Sequence, residues 1–385
     1  MFPIHWVLCS FYAFYFATLG AVLPFLGLYL ESISFNPKQI GYLMSILLIT
    51  KILAPNFWGY FLDSFSEKYP LLKTYTLVIA LICSSLAFFA LNFTTQFWLI
   101  VIFVAIYSFF WNAVLPQMET FVYNHLGENK HRYGRIRVWG SIGFILSVIS
   151  LGWSIDQFGI SFLIPSVSVL FFVLALHGAF LKEMPTESIQ HNESLKLRKM
   201  LTPMICIVLF LGMVTQMTHA PFYTFFSIYL ESYDYSKTLI GVLWAFGVIM
   251  EIGVFLCAHL LFKRFNIFNL LMFCFAMTAL RWWLLSHFAE SILWLFFAQS
   301  LHAISFGLYH SCASQLINDQ FVGNVQVRGQ ALYSSVTFGI GGAIGTLWSG
   351  ILWTEIGGQS LFLLCAITMV LATLCAGIFT IFLKR

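Results

Sequence analysis

Five ionisable side chains stand inside apolar stretches of this chain: Lys51, Glu119, Glu251, Arg281 and His302. A charge at the centre of a bilayer costs about 2.5–3.5 kcal/mol on insertion scales, so each marks a candidate for binding or ion movement. Lys51 and Glu251 lie 200 residues apart. Each falls roughly 21 Å below the preceding outer loop at the helical rise per residue. The two opposite charges could face each other across a central cavity; a structural ion pair between packed helices is the alternative. Arg281 lies about 9 Å inside the outer end of its span by the same rise, and His302 falls near the depth of Glu251. A buried carboxylate can load and release a proton, and histidine titrates near neutral pH. Glu251 is therefore the proton-carrier candidate, Arg281 the charge that favours release, and His302 the group that orients carboxylate or substrate. A core histidine bonded to backbone or hydroxyl is the other reading of His302. His219 and His310 are weaker candidates of the same kind.

Glu119 closes the fourth apolar run and Arg137 opens the fifth, with a short basic loop between them. The pair can meet at the inner side of a cavity. Arginine is also suited to a bidentate grip on a carboxylate. Arg135, two residues earlier, points elsewhere on the helix and reads as a surface anchor. Gly140, Gly143, Gly339, Gly341, Gly342 and Gly345 form small-residue faces in the fifth and eleventh runs. Such faces let helices cross closely, with sliding during a transport cycle as a secondary reading.

The elements that must position these groups are membrane helices. Of 385 residues, 60% are hydrophobic and 9% are charged, against roughly 25% charged in soluble domains. A spanning helix needs about 20 apolar residues. Runs of that kind lie near 5–30, 38–61, 73–92, 97–122, 134–155, 160–181, 202–230, 238–261, 267–287, 291–317, 328–353 and 359–382. The first run begins almost at Met1 and reads as a span, with no cleavable signal peptide expected. With the N-terminus placed inside, 15 of the 19 Lys and Arg residues fall in inner segments, and only Lys38 and Lys237 fall outside. Lys51 and Arg281 remain within spans. That bias predicts an even number of spans with both termini cytoplasmic.

The expected class is an all-α membrane protein of twelve transmembrane helices in two pseudo-symmetric six-helix halves. Residues 1–181 form the first half, 182–200 a polar cytoplasmic linker, and 201–385 the second half. Tyr29-Leu30-Glu31-Ser32 recurs as Tyr229-Leu230-Glu231-Ser232, and Ile40-Gly41 as Ile240-Gly241, both at an offset of 200. Pro24-Phe25 and Pro221-Phe222 precede the two tetrads at similar distances. Repeated halves around a midplane site are a recurrent transporter architecture. The eight cysteines all fall in apolar runs without CxxC spacing, which reads as buried thiols rather than disulfides or zinc ligands. No GxxxxGK[ST], HExxH or GxSxG motif occurs, so ATP hydrolysis and the hydrolase chemistries lack their residues. No basic stripe for nucleic acid is present.

The segment Tyr133-Gly134-Arg135-Ile136-Arg137-Val138-Trp139-Gly140-Ser141-Ile142-Gly143-Phe144 resembles the span-five signature of the lactose-permease-like branch of the major facilitator superfamily. The chain is similar to the 3-phenylpropionate transporter family. The resemblance includes Leu23-Pro24-Phe25, Gly41, Lys51, Glu251, Arg281-Trp282 and Leu301-His302. It implies proton-coupled alternating access. Carried over, Glu119 and Arg137 match the permease's substrate-site pair, and Glu251, Arg281 and His302 match charges used for substrate and proton coupling. The chain departs where the permease has a carboxylate one turn after its span-ten histidine, since Ser305 stands there, and where its sugar-stacking Trp is Phe144. The superfamily's loop motif after the second span survives as Gly59, Asp63 and Lys68, with Ser64 and Ser66 where a cation and glycine are usual.

The expected function is proton symport of a small organic solute, with an aromatic carboxylate as the first substrate class. Lys51 or Arg137 would hold the carboxylate, and Trp111, Trp139 or Phe144 would contact the ring. A sugar or nucleoside symporter, an exporter, and a non-transporting sensor on a carrier fold are the alternatives. No cofactor, metal or enzymatic activity is expected. The expected partners are the substrate, protons and lipid, for a monomer in a bacterial inner membrane.

Overall fold

The computed structural model describes residues 4–65, 72–127, 129, 132–181, 201–321 and 325–383. The expected linker at 182–200, and Lys68 of the loop motif, lie outside the described residues; so does the Asp63 side chain. The helices are α1 Ile4–Ser32, α2 Pro37–Phe65, α3 Leu72–Ala90, α4 Phe97–Asn112, α5 Val114–Leu126, α6 Tyr133–Phe158 and α7 Leu163–Gly178. They continue as α8 Pro203–Glu231, α9 Lys237–Arg264, α10 Ile267–His287, α11 Ile292–Ser300, α12 Tyr309–Gln320, α13 Gln326–Ser334 and α14 Gly342–Leu383. Two wide π-turns, Ala303–Leu308 and Ser335–Gly341, join α11 to α12 and α13 to α14. Eleven of the described runs are long and apolar enough to cross a membrane. The last, Arg328–Phe379, has 52 residues, about twice what one crossing requires. It breaks at Gly357, whose φ of 76° and ψ of 166° are not helical.

Large apolar side chains cover the outside. Leu293 and Tyr60 are 78% exposed, and Trp98 and Phe93 are 73% exposed. Water would penalise such a surface, whereas hydrocarbon does not. The backbone bonds are closed within helices, as a bilayer requires. The chain is a multi-pass integral membrane protein.

Two compact units share the chain. The first holds residues up to Phe35, Ile46–His191 and Ser236–Gly241; the second holds Asn36–Ser45, Asn192–Tyr235 and the rest from Val242. In the first, α1 packs along α6 and α7, and α3 lies against α4 and α7. In the second, α8 packs along α14 and its preceding π-turn, and α10 packs on α14. The Asp156 carboxylate accepts bonds from the Lys237 and Thr238 backbone amides at 2.9 and 2.8 Å. It thereby satisfies two of the orphan donors at the start of α9.

The repeats read in the sequence occupy matching local structures. The Tyr29 hydroxyl donates to the Leu91 carbonyl at 3.0 Å, and the Tyr229 hydroxyl to the Leu285 carbonyl at 3.1 Å. Ser34 and Asp234, again 200 apart, both take positive φ, at 69° and 61°. Gly143 abuts the backbone of Ala13, and Gly341 abuts that of Met213. The glycines set the closeness of the α1–α6 and α8–α14 crossings, because a side chain there would overlap backbone of the neighbouring helix.

A methyl group added at Gly143 would collide with the Ala13 carbonyl, while one at Gly134 meets open space. Gly143→Ala is expected to lower stability by about 1–3 kcal/mol through overpacking. Gly134→Ala should leave it level or raise it, since alanine favours a helix. Thermal unfolding of the detergent-solubilised variants checks the pair; equal midpoints would contradict the packing role of Gly143.

Candidate functional site: two buried polar clusters

The second unit assembles three of the sequence candidates into one connected group. Arg281, on α10, has no exposed surface. Its Nη1 donates to His302 Nδ1 at 3.0 Å and to Ser305 Oγ at 3.2 Å, and its Nη2 donates to Gln299 Oε1 at 2.9 Å. Gln299 Nε2 in turn donates to the Leu243 carbonyl of α9 at 3.3 Å. The guanidinium carbon lies 4.3 Å from the Phe222 ring centre and 4.6 Å from that of Trp282. Aromatic faces of this kind partly replace lost hydration by cation–π attraction.

His302 joins Arg281 to Glu251. Its Nε2 stands 3.5 Å from Glu251 Oε2. The chemistry of the two partners fixes the tautomer. A guanidinium has donors and no acceptor, so His302 Nδ1 must offer its lone pair to Arg281. The ring proton then sits on Nε2, facing the carboxylate. His302 cannot take a second proton at Nδ1 without losing the Arg281 bond. It is a neutral bridge between guanidinium and carboxylate.

Local sequence builds this geometry. Leu243, Gly247 and Glu251 follow one another at intervals of four along α9, on one face of the helix. Gly247 lies against the His302 ring, and a Cβ on Gly307 would stand 3.1 Å from Glu251 Cγ. The bare glycine of the π-turn leaves room for the Glu251 stem. In that turn the Tyr309 amide reaches back to the Ile304 carbonyl, an i to i+5 bond of the kind that recurs at functional sites.

The first unit holds the other cluster. Glu119, on α5, accepts a bond from the Tyr133 hydroxyl at 3.2 Å. The Tyr133 ring stacks on Tyr123 at 5.1 Å and 6°. Arg137, one turn further along α6, lays its guanidinium carbon 3.9 Å from the Phe16 ring centre. Phe16 stacks in turn with Tyr12 at 6.3 Å. Gly140 makes this possible, since a Cβ there would come within 2.6 Å of the Phe16 ring and 2.8 Å of Arg137 Nη1.

The expected direct contact between Glu119 and Arg137 is not formed among the described residues. Tyr133 takes the carboxylate and Phe16 takes the guanidinium face. Trp111 is 4% exposed and packs among Tyr15, Tyr107 and Phe171. Phe144 is 6% exposed, with its backbone against Gly20. The Trp111 ring is held in helix packing. Trp139 sits edge-on to Trp6 at 6.1 Å. Lys51 is exposed on α2 and belongs to the first unit, whereas Glu251 belongs to the second. Arg135 is exposed, as befits a surface anchor.

Several members of the clusters carry no charge and were not singled out from the sequence: Gln299, Tyr133, Phe16 and Phe222. Gln299 had a detectable signal. It is an amide within the apolar run Ile292–Ser300, three residues before His302 and so on the same helical face.

Helices with lipid-suited surfaces, enclosing buried charge networks, define the class of multi-pass membrane carriers. The chain belongs to the MFS_1 like family, whose model matches residues 5–364, within the major facilitator superfamily. It is 24% identical over 361 residues to a probable 3-phenylpropionic acid transporter of Escherichia coli (strain K12), covering 91% of this chain and 92% of that one. It is 27% identical over 376 residues to a maltose permease of Geobacillus stearothermophilus, covering 94% and 92%. The crystal structure of the nucleoside transporter NupG superposes with a TM-score of 0.84 at 20% identity, covering 97% of this chain and 98% of that one. That likeness establishes the shared fold.

Gln299→Leu removes the acceptor of a fully buried guanidinium and the amide that ties it to the Leu243 carbonyl of α9. It is expected to destabilise the protein by roughly 3 kcal/mol, because an unmet charged donor costs more than a neutral one. Adding Arg281→Met should recover part of that loss, since the pair is then replaced by apolar groups. Thermal unfolding of the two single variants and the double variant gives the coupling; strict additivity would contradict the Gln299–Arg281 bond.

Proposed function

We propose that the protein is a secondary active transporter that moves a small organic solute together with a proton, with an aromatic carboxylate as the substrate class. The observation that carries this reading is the chain from Glu251 through neutral His302 to Arg281. A carboxylate inside the membrane can hold charge or a proton, and here one imidazole links it to a guanidinium. The polar contacts of Arg281 go to neutral side chains, with Ser305 where the resembling permease has a carboxylate. Glu251 therefore does the protonation work of the cluster.

Substrate recognition is assigned to the first unit. Arg137 lies flat on Phe16, which leaves its N–H edges for a carboxylate. Tyr12, Phe16 and Tyr133 supply aromatic surface beside it. The named activity of the Escherichia coli relative supports a phenylpropionate-like solute. We further read the broken run at Gly357 as two crossings. This gives twelve spans, with both termini on the inner side of a bacterial cytoplasmic membrane and a cytoplasmic linker between halves 1–181 and 201–385.

In proteoliposomes, uptake of 3-phenylpropionate should alkalinise the outside medium. Glu251→Gln should lose at least tenfold of gradient-driven accumulation while exchange of solute remains measurable. Uptake without proton movement would overturn symport. Full accumulation by Glu251→Gln would remove Glu251 from the proton path. A thermal-shift panel of carboxylates, maltose and nucleosides assigns the substrate class, and stabilisation by a sugar or nucleoside alone would exclude the carboxylate.

A further inference from the structure

His302 and His310 lie eight residues apart, on either side of Phe306. In a straight α-helix the eighth residue is rotated by about 80° from the first. The π-turn at Ala303–Leu308 takes up that rotation. The rings form a column: His302 stacks on Phe306 at 5.4 Å and 4°, and Phe306 on His310 at 6.2 Å and 11°. His310 then stacks on Tyr333 of α13 at 5.8 Å and 23°. Phe338, in the second π-turn, closes edge-on against Phe306, His310 and Tyr333.

The two histidines differ in the chemistry of their partners. His302 Nδ1 meets a guanidinium, which only donates. His310 Nδ1 lies 3.2 Å from the Tyr333 hydroxyl, which can donate or accept. The hydroxyl therefore satisfies Nδ1 whether that atom is bare or protonated. His310 can become a cation while keeping its hydrogen bond; His302 cannot. His310 is half-buried, whereas His302 is buried. The titratable groups around it are Glu251 from α9, whose charge acts on it, and Tyr333 from α13. On its own run, His302 stands beyond Phe306, Tyr309 approaches the Tyr333 and Thr337 hydroxyls, and Cys312 faces Cys274 of α10. Toward α8, Tyr309 meets the bare face of Gly212.

We infer that His310, bonded to Tyr333, is a second proton-binding site, which takes the proton that Glu251 releases. Glu251 passes from carboxylic acid to carboxylate, and neutral His310 becomes imidazolium. The imidazolium then gives the proton to water at the inner end of the same helix run. His310 thus supplies the titrating group that Ser305 lacks. This rests on the proton-symport reading above.

The test has two arms. In the first, ring-labelled histidine is followed by NMR in lipid nanodiscs without solute, with His310→Gln and His302→Gln as assignment variants. The resonance lost in His310→Gln should pass from neutral to cationic between about pH 5 and 8. The resonance lost in His302→Gln should keep its Nε2-protonated neutral form throughout. Tyr333→Phe should move the His310 midpoint. A His310 ring that holds one state across that range would overturn the proposal, and an unmoved midpoint would remove Tyr333 from it. In the second arm, His310→Gln, which can still bond Tyr333, should lose at least tenfold of proton-driven accumulation and lose less of exchange. Wild-type accumulation by this variant would overturn the role of His310 in transport. Absence of proton movement by the wild type would instead sink the symport reading, and the NMR titration would still decide whether His310 binds a proton.

Discussion

Burial of one guanidinium organises the second unit. Arg281 has lost its water entirely, and a charge so placed is costly unless it is paired and hydrogen-bonded. Phe222 and Trp282 cover its faces, and Gln299, Ser305 and His302 meet its Nη donors, while Nε has no hydrogen-bond partner among the described residues. Each of these partners is then itself constrained. Gln299 must turn its amide nitrogen to the Leu243 carbonyl, which ties α9 to the span that follows α10. His302 must present a lone pair, so its proton points at Glu251. The tautomer of one ring is thus set by a cation and read out at a carboxylate. Glu251 is thereby connected to the helices that hold Arg281 through one imidazole.

The first unit solves the same problem with different means. Arg137 rests on Phe16, and Glu119 is bonded by Tyr133 rather than by a cation. Both charged groups keep part of their surface accessible. A half-buried guanidinium backed by an aromatic face is an adaptable binding group, because its edge donors are not committed to a permanent partner. The fully buried Arg281 is a fixed element by contrast. This difference in burial is the reason for placing solute recognition in the first unit and proton handling in the second.

What was legible in the sequence follows from contrast. Glu251, Arg281 and His302 stand out because a charge or an imidazole in an apolar run has few structural excuses, and the three are in contact. The apolar runs were equally visible, and eleven described runs are long and apolar enough to span, the last with a non-helical Gly357 inside it. The Glu119–Arg137 contact was misread because a short loop brings two helix ends together without fixing which atoms meet; Tyr133, on the same helix as Arg137, reaches the carboxylate instead. Phe16 and Phe222 were hidden among 43 phenylalanines, where one cation-covering ring looks like any lipid-facing one. Trp111 was assigned to the substrate by residue type, and in the structure its ring packs among Tyr15, Tyr107 and Phe171. The π-turns left no mark in composition, and it is the first of them that brings His310 into line with His302.

The repeated local structures and the unrepeated arginines differ in what holds them. Tyr29 and Tyr229 bond the carbonyls of Leu91 and Leu285, which aligns the third helix of each half. Arg281 lies four residues before Leu285, and the residue four before Leu91 is Ala87. Gly143 and Gly341 make matching contacts to Ala13 and Met213. Arg137 lies six residues before Gly143, and the residue six before Gly341 is Ser335. Each half therefore carries an arginine where the other carries a small neutral residue, and on a different helix of the repeat. The glycines, tyrosines and turn residues that persist at both positions are those that set helix approach and loop geometry. The groups that differ are the ionisable ones. A symmetric frame can sustain this because its crossings rest on backbone contacts at glycine, so the polar positions are free to diverge without loosening the frame that holds them.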